Sequence, residues 1–282
     1  MKRFSFKMLA VAAAVCAVCW LGCGGGDDNN PADNNGDNVG NNTGGDNGGD
    51  NGGDNGGDNG GVVDPKTVVK GTVGDRDLQL YKTVKIGRQT WMAENLNTHT
   101  AGSWCLGEGG GIMVETEGSF SLGTLSSAEI QANCAKYGRL YTWAAAKTAC
   151  PSGWRLPDTT DWNRLVEAVG GREIAAKKLK STNGWLHSIP TGTIGNGTDD
   201  YGFSALPGGY RDNNSNDYYD HHYDGDVENG LWWTATKDVS CDASYYQHMT
   251  YYNDNVINRA TLGYMADGYD RYGFSVRCIK DD

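Results

Sequence analysis

Residues 78–86 and 89–92 carry the short apolar and polar runs of two β-strands. Gly87-Arg88 separates them, and a glycine first in a two-residue loop favours a type II′ hairpin. The period then lengthens. Ser126-Ser127-Ala128-Glu129 is a capping-box pattern opening a helix that ends near Tyr137-Gly138, and Thr142 caps a second helix through Ala149. After Asp158, the residues Trp162, Leu165, Val166 and Val169 are spaced as one face of an amphipathic helix, which Gly170-Gly171 stops. The last third returns to strands over 231–236, 245–252 and 273–279, the last placing Phe274, Val276 and Cys278 on one face. Trp232 and Trp233 fall on opposite faces of such a strand. Core packing is expected for both, with one of them as a surface platform the alternative. Helices followed by strands predict an α+β domain, small helices packed on short, mostly antiparallel strands.

The N-terminal pattern is of another kind. Lys2, Arg3 and Lys7 precede an apolar run over residues 8–21 that is too short to span a bilayer, which is the layout of a signal peptide over 1–22. Trp20-Leu21-Gly22-Cys23 resembles a bacterial lipobox, with Trp20 where Leu is usual. The resemblance implies a diacylglyceryl thioether on Cys23 and a membrane anchor. Residues 23–64 are almost entirely Gly, Asp and Asn, with Gly-Gly-Asp-Asn four times in succession over 44–59. Without apolar side chains such a segment is expected to be a disordered tether reaching roughly 35 Å. It also lacks the aliphatic residue that calcium-binding β-roll repeats need in each turn. The folded domain is assigned to 65–282.

Charge sharpens this division. Of the net charge of -11, nine Asp and three basic residues precede Pro65, leaving 26 acidic and 21 basic residues after it, a net of -5. A mildly acidic domain argues against nucleic acid as a partner, because phosphate binding requires a basic face.

Six blocks carry a family resemblance: residues 81–87, 91–96, 137–143, 149–157, 202–209 and 273–278. Their order and sequence resemble the Fibrobacter succinogenes major paralogous domain over residues 71–280. The resemblance implies a C-type-lectin-like fold and a bacterial cell-surface, outer-membrane lipoprotein. It supplies no activity. Formylglycine-generating enzymes share that fold and a pattern matching Arg155-Leu156-Pro157 with Asp161-Trp162.

Besides Cys23, five downstream cysteines remain, and an exported chain is expected to pair them. The lectin-like resemblance implies a bridge from Cys150 to Cys278; Cys105 to Cys134 would then staple the loop before the first helix, leaving Cys241 over. No Cys-x-x-Cys spacing suggests a metal site.

In lectin-like folds a long loop before the Trp-rich strand carries ligands, here residues 196–230. Asp212, Asn214, Asn216, Asp217, Tyr219, Asp220, Tyr223, Asp224, Asp226, Glu228 and Asn229 combine planar oxygen-bearing groups with aromatic faces. Sugars are bound by that pairing, and Ca2+ suits the same oxygens. The Glu-Pro-Asn and Trp-Asn-Asp signatures of calcium-dependent lectins are absent, and Asp212-x-Asn214-x-Asn216 lacks the rest of an EF-hand loop. Turn-forming Asp and Asn in a solvated loop are the competing reading. Adjacent His221 and His222 are expected to point apart, which argues against a metal pair. Three functions follow: a surface binding or adhesion module for glycans, plant polysaccharide or a surface protein; a structural or assembly component of the envelope without a small ligand; or a formylglycine-generating-like enzyme, with Cys241 and Cys278 the only candidate cysteine pair. A non-enzymatic binder is expected, no Ser/His/Asp arrangement being evident.

Overall fold

The structure is a computed structural model. It describes residues 62, 64–65, 69–109, 112–116, 119–188, 193–212, 218–219, 228–238, 243–260 and 272–281. The chain divides after Gly60, and every described residue belongs to the second unit, Gly61–Asp282. The signal-peptide segment, Cys23 and the tether up to Gly61 therefore lie outside the described residues.

Strands β1 (Val69–Gly74), β2 (Leu80–Ile86), β3 (Gln89–Met92), β4 (Ser103–Cys105), β5 (Ile112–Thr116) and β6 (Ser119–Gly123) precede helix α1 (Ser127–Tyr137). Then come β7 (Arg139–Tyr141), α2 (Trp143–Ala149), β8 (Trp154–Arg155), α3 (Thr159–Ala168) and α4 (Arg172–Leu179). The remainder is strand: β9 (His187–Ser188), β10 (Thr193–Ile194), β11 (Arg211–Asp212), β12 (Tyr218–Tyr219), β13 (Asn229–Asp238), β14 (Ala243–Thr250), β15 (Ile257–Ala260), β16 (Tyr272–Gly273) and β17 (Ile279–Lys280). One sheet has the order β1-β2-β3-β17-β8, a second β16-β11-β12-β5-β6, and a third β13-β14-β15. Pairing is antiparallel except between β12 and β5. This is a mixed α and β domain with four helices among the described residues.

Local chemistry explains the helix starts. Ser126 and Glu129 exchange the two hydrogen bonds of a capping box at α1, and the Thr142 hydroxyl accepts from the Ala145 N–H at α2. At α3 the box is Asp158 with Asp161, and Asp161 also takes Arg155 in a bidentate pair at 2.6 and 3.1 Å. Burial alone would raise the Asp161 carboxyl; the hydrogen bonds from Arg155 and the Asp158 N–H, with the Arg155 charge, hold it below the ordinary carboxylate range. In the hairpin of β2 and β3, Gly87 has φ of 61°, the left-handed value that the first position of a II′ turn needs.

Two expectations change. The Gly170-Gly171 stop ends α3, but Gly171 at φ 98° is also the N-cap of α4, whose Ala175, Ala176 and Leu179 are buried. The predicted strand over 273–279 is broken. Only its ends pair as β16 and β17, with single bridges at Phe274 and Ser275 between, and residues 273–279 are buried throughout rather than on one face only. Phe274, Val276 and Cys278 do share one core cluster, as their spacing predicts.

Apolar side chains collect in two main clusters with β13 between them. Trp232 joins Trp91, Trp162 and Phe203; Trp233 joins Tyr141, Phe274 and Val276. Both tryptophans are 0% exposed, which removes the surface-platform alternative. Each indole also finds an acceptor, Trp232 Nε1 donating to Asn95 Oδ1 at 2.9 Å and Trp233 Nε1 to the Tyr141 carbonyl at 2.6 Å.

Beneath the end of β14 lies a buried lysine. Lys180 Nζ donates to the carbonyls of Thr250 and Asn253 at 3.0 and 3.1 Å and sits over the Trp185 ring. Burial pushes its amine down to about 8, against the opposing charge of Asp254. An unfolded lysine stays protonated to about pH 10.4, so between there and about pH 8 the unfolded chain holds a proton that the folded chain has lost. Stability is therefore expected to rise with pH across that window, by at most about 1.4 kcal/mol per pH unit. Comparing urea midpoints of the wild type and Lys180→Met from pH 7 to 10 checks this. The wild type gains on the variant as pH rises, and parallel curves would refute it.

Candidate functional site

Phe274 is the hub of an aromatic group that the core only partly covers. Trp233 packs on it with ring centroids 4.2 Å apart, Tyr246 at 4.8 Å, Tyr272 in a stacked arrangement at 5.7 Å and Tyr210 edge-on at 6.4 Å. Phe274 and Trp233 are buried, whereas Tyr210, Tyr246 and Tyr272 are half-buried. Three phenols are thus gathered around one ring. They come from three places in the chain: the turn before β11, strand β14 and strand β16.

Within the predicted ligand loop of residues 196–230, the candidate ligand residues begin in this group. β11 pairs with β16 so that Asp212 lies opposite Tyr272, and with β12 so that Asp212 lies opposite Tyr218 and Arg211 opposite Tyr219. Arg211 itself is buried, its guanidinium carbon 3.9 Å from the centroid of the half-buried Trp104 ring. The predicted residues Asp212 and Tyr219 therefore occupy neighbouring strands at the tyrosine group. Glu228 and Asn229 close the loop at the start of β13. The Tyr251 N–H donates to the Glu228 carbonyl at 2.9 Å, and Asn229 Oδ1 lies 2.8 Å from His248 Nε2. Asn214, Asn216, Asp217, Asp220, Tyr223, Asp224 and Asp226 lie outside the described residues, as do His221, His222 and Cys241. Among the described residues no three His, Cys, Asp or Glu side chains gather as a metal site, and no helix is long and apolar enough to cross a membrane.

Both predicted bridges are present, Cys105 to Cys134 and Cys150 to Cys278. The tyrosine group was only partly legible: Tyr219 and the loop stand out by composition, but Tyr210, Tyr246 and Tyr272 are scattered over some sixty residues of sequence. A second unforeseen feature is a buried arginine. Arg277 is 0% exposed, and its donors go to Asn95 Oδ1 (3.1 and 2.8 Å) and to the carbonyls of Met92, Phe203 and Ser204. Asn95 in turn donates to the Tyr137 carbonyl at 2.9 Å. Burial pushes the Arg277 guanidinium down to about 9, against the charges of Asp199 and Glu94, so it stays protonated at neutral pH. Its partners come from two of the six sequence blocks, 91–96 and 202–209, and Asn95 extends the network to a third through Tyr137; glycines permit the close approach. A Cβ on Gly208 would lie 2.6 Å from Ser275 Oγ, and one on Gly138 would lie 2.7 Å from the Leu96 carbonyl oxygen.

No curated protein and no solved structure matches the chain. The family model of the Fibrobacter succinogenes major domain matches residues 84–280, a span that holds the buried Arg277 hub, both bridges and the tyrosine group, and the chain belongs to that family.

Proposed function

We propose that this protein is a lipid-tethered component of the bacterial cell envelope, exposed on the outer membrane, whose domain is a C-type-lectin-like binding module for glycans. The observation that carries the reading is the set of Tyr210, Tyr246 and Tyr272 around Phe274, bordered by strands that lead into an Asp- and Asn-rich loop. Tyrosine rings cover the apolar face of a sugar while amides and carboxylates bridge its hydroxyls, and Ca2+ would use the same oxygens. Lipidation at Cys23 and a Gly-rich tether fit presentation of such a module away from the membrane. The Cys150–Cys278 bridge supports a binder over an enzyme, since it occupies one member of the only cysteine pair considered for formylglycine-type chemistry.

The test is a plant and microbial polysaccharide array probed with the mature chain, in calcium and in chelator. Binding is expected to at least one polysaccharide, and Tyr246→Ala combined with Tyr272→Ala is expected to weaken it about tenfold, the equivalent of about 1.4 kcal/mol. Silence on every polysaccharide would return the domain to a structural role in the envelope.

A further inference from the structure

The two bridges differ in what surrounds them. Arg139, on β7, reaches across the Cys105–Cys134 bridge, with Nη1 3.4 Å from each sulfur. Its remaining donors hold it there: Nε to Ser103 Oγ at 3.0 Å, and Nη2 to the Ser103 carbonyl at 3.1 Å and Glu108 Oε2 at 3.2 Å. Among the described residues no cation donates to the sulfurs of Cys150 or Cys278. A guanidinium that touches both sulfurs stabilises whichever becomes a thiolate, and thiolate stabilisation makes a disulfide easier to reduce.

We propose that Cys105–Cys134 is a reducible bridge controlling how firmly β5, β6 and β12 are held, while Cys150–Cys278 stays closed under the same conditions. A dithiol reductant supplies the chemistry. Its thiolate attacks one sulfur, the S–S bond breaks, and the other sulfur leaves as a thiolate beside Arg139. The reductant's second thiol then displaces the first cysteine and departs with its partner as a disulfide. Two electrons pass to the protein, leaving Cys105 and Cys134 as thiols or as one thiol and one thiolate paired with Arg139.

The position of the bridge gives the opening a consequence. Cys105 ends β4 and Cys134 lies in α1, so the bridge closes the base of the excursion that carries β5 and β6. β5 pairs with β12 through Ile112 and Tyr219, inside the loop that borders the tyrosine group. After opening, that base retains the packing of Leu106 on Tyr137 and Leu140 and the hydrogen bond from Asn133 Nδ2 to the Leu106 carbonyl. The domain stays folded while the strands beyond loosen. None of this depends on what the loop binds.

The experiment equilibrates the mature chain in buffers of graded reduced to oxidised dithiothreitol, followed by acid quench, alkylation and peptide mass spectrometry. Cys105–Cys134 is expected to half-open at a ratio at least tenfold lower than Cys150–Cys278. Simultaneous opening, or the reverse order, overturns the proposal, and this needs only the wild-type chain. Arg139→Gln is expected to narrow the interval at least threefold and Arg139→Lys to narrow it less; an unchanged interval in a folded Arg139→Gln chain overturns the role of the guanidinium. At a ratio where only the first bridge is open, amide exchange over residues 112–123 and 218–219 should quicken at least fivefold, and unchanged exchange there overturns the coupling.

Discussion

Replacing both Cys150 and Cys278 with Ala is expected to lower the thermal midpoint by about 8–16 °C, from a loss of about 4 kcal/mol. The argument starts from the chain. The bridge joins residues 128 apart, and in the chain-entropy model a loop of that length restricts the unfolded ensemble by close to 5 kcal/mol, an upper estimate. The folded state adds a local reason. Cys150 is the C-cap of α2, and Cys278 is 0% exposed, its carbonyl accepting from the Met92 N–H at 2.9 Å. The bridge therefore ties α2 to the point where the chain joins β3. The reference is Cys241→Ala, expected to move the midpoint far less. Equal losses in the two variants, followed by differential scanning calorimetry, would mean that Cys150–Cys278 does not restrain the domain.

What the sequence discloses and what it conceals follow one physical line. Features written in neighbouring residues were legible. Ser126 with Glu129 and Asp158 with Asp161 announce their helices because a cap is a contact between residues three apart. Gly87 announces its turn for the same reason. Helix α4 escaped notice because a paired glycine that stops one helix can also begin the next, and its buried residues are mainly small alanines that mark no apolar stripe. The break between β16 and β17 was hidden because the run is buried on both faces, so alternation stops being informative. For the candidate site, composition points to the loop, but not to Tyr210, Tyr246 and Tyr272, which come together only when β11, β14 and β16 are brought around Phe274.

Arg277 lies at the far end of that line. A charged residue in a run reading Phe-Ser-Val-Arg-Cys suggests a solvent-facing position, yet this guanidinium is wholly buried and its neighbours are carbonyls and an amide rather than a carboxylate. No pattern within the run foretells this, since the partners are contributed from 92–95 and 203–204. What those two distant segments have in common is that both end on one cation, a single buried hydrogen-bond centre.

Arg277→Met is accordingly expected to cost about 3–5 kcal/mol, lowering the thermal midpoint by about 10 °C. Methionine fills much of the volume and keeps contact with Phe203, whose ring lies 4.6 Å from the guanidinium carbon. It donates nothing, so the carbonyls of Met92, Phe203 and Ser204 lose buried donors, which costs more than the net value of the hydrogen bonds themselves. Arg277→Lys is expected to fall nearly as far, because one ammonium cannot span acceptors that the planar fork reaches from three nitrogens. Asn95→Ala removes the other half of the centre and takes the acceptor from Trp232 Nε1. The two losses should not add: the double variant is expected to fall short of their sum by about 1 kcal/mol or more, as residues in one network do. Denaturant unfolding of the four proteins measures this cycle. Strict additivity, or an Arg277→Met chain within about 1 kcal/mol of wild type, would show that the buried guanidinium is tolerated by the fold rather than organising it.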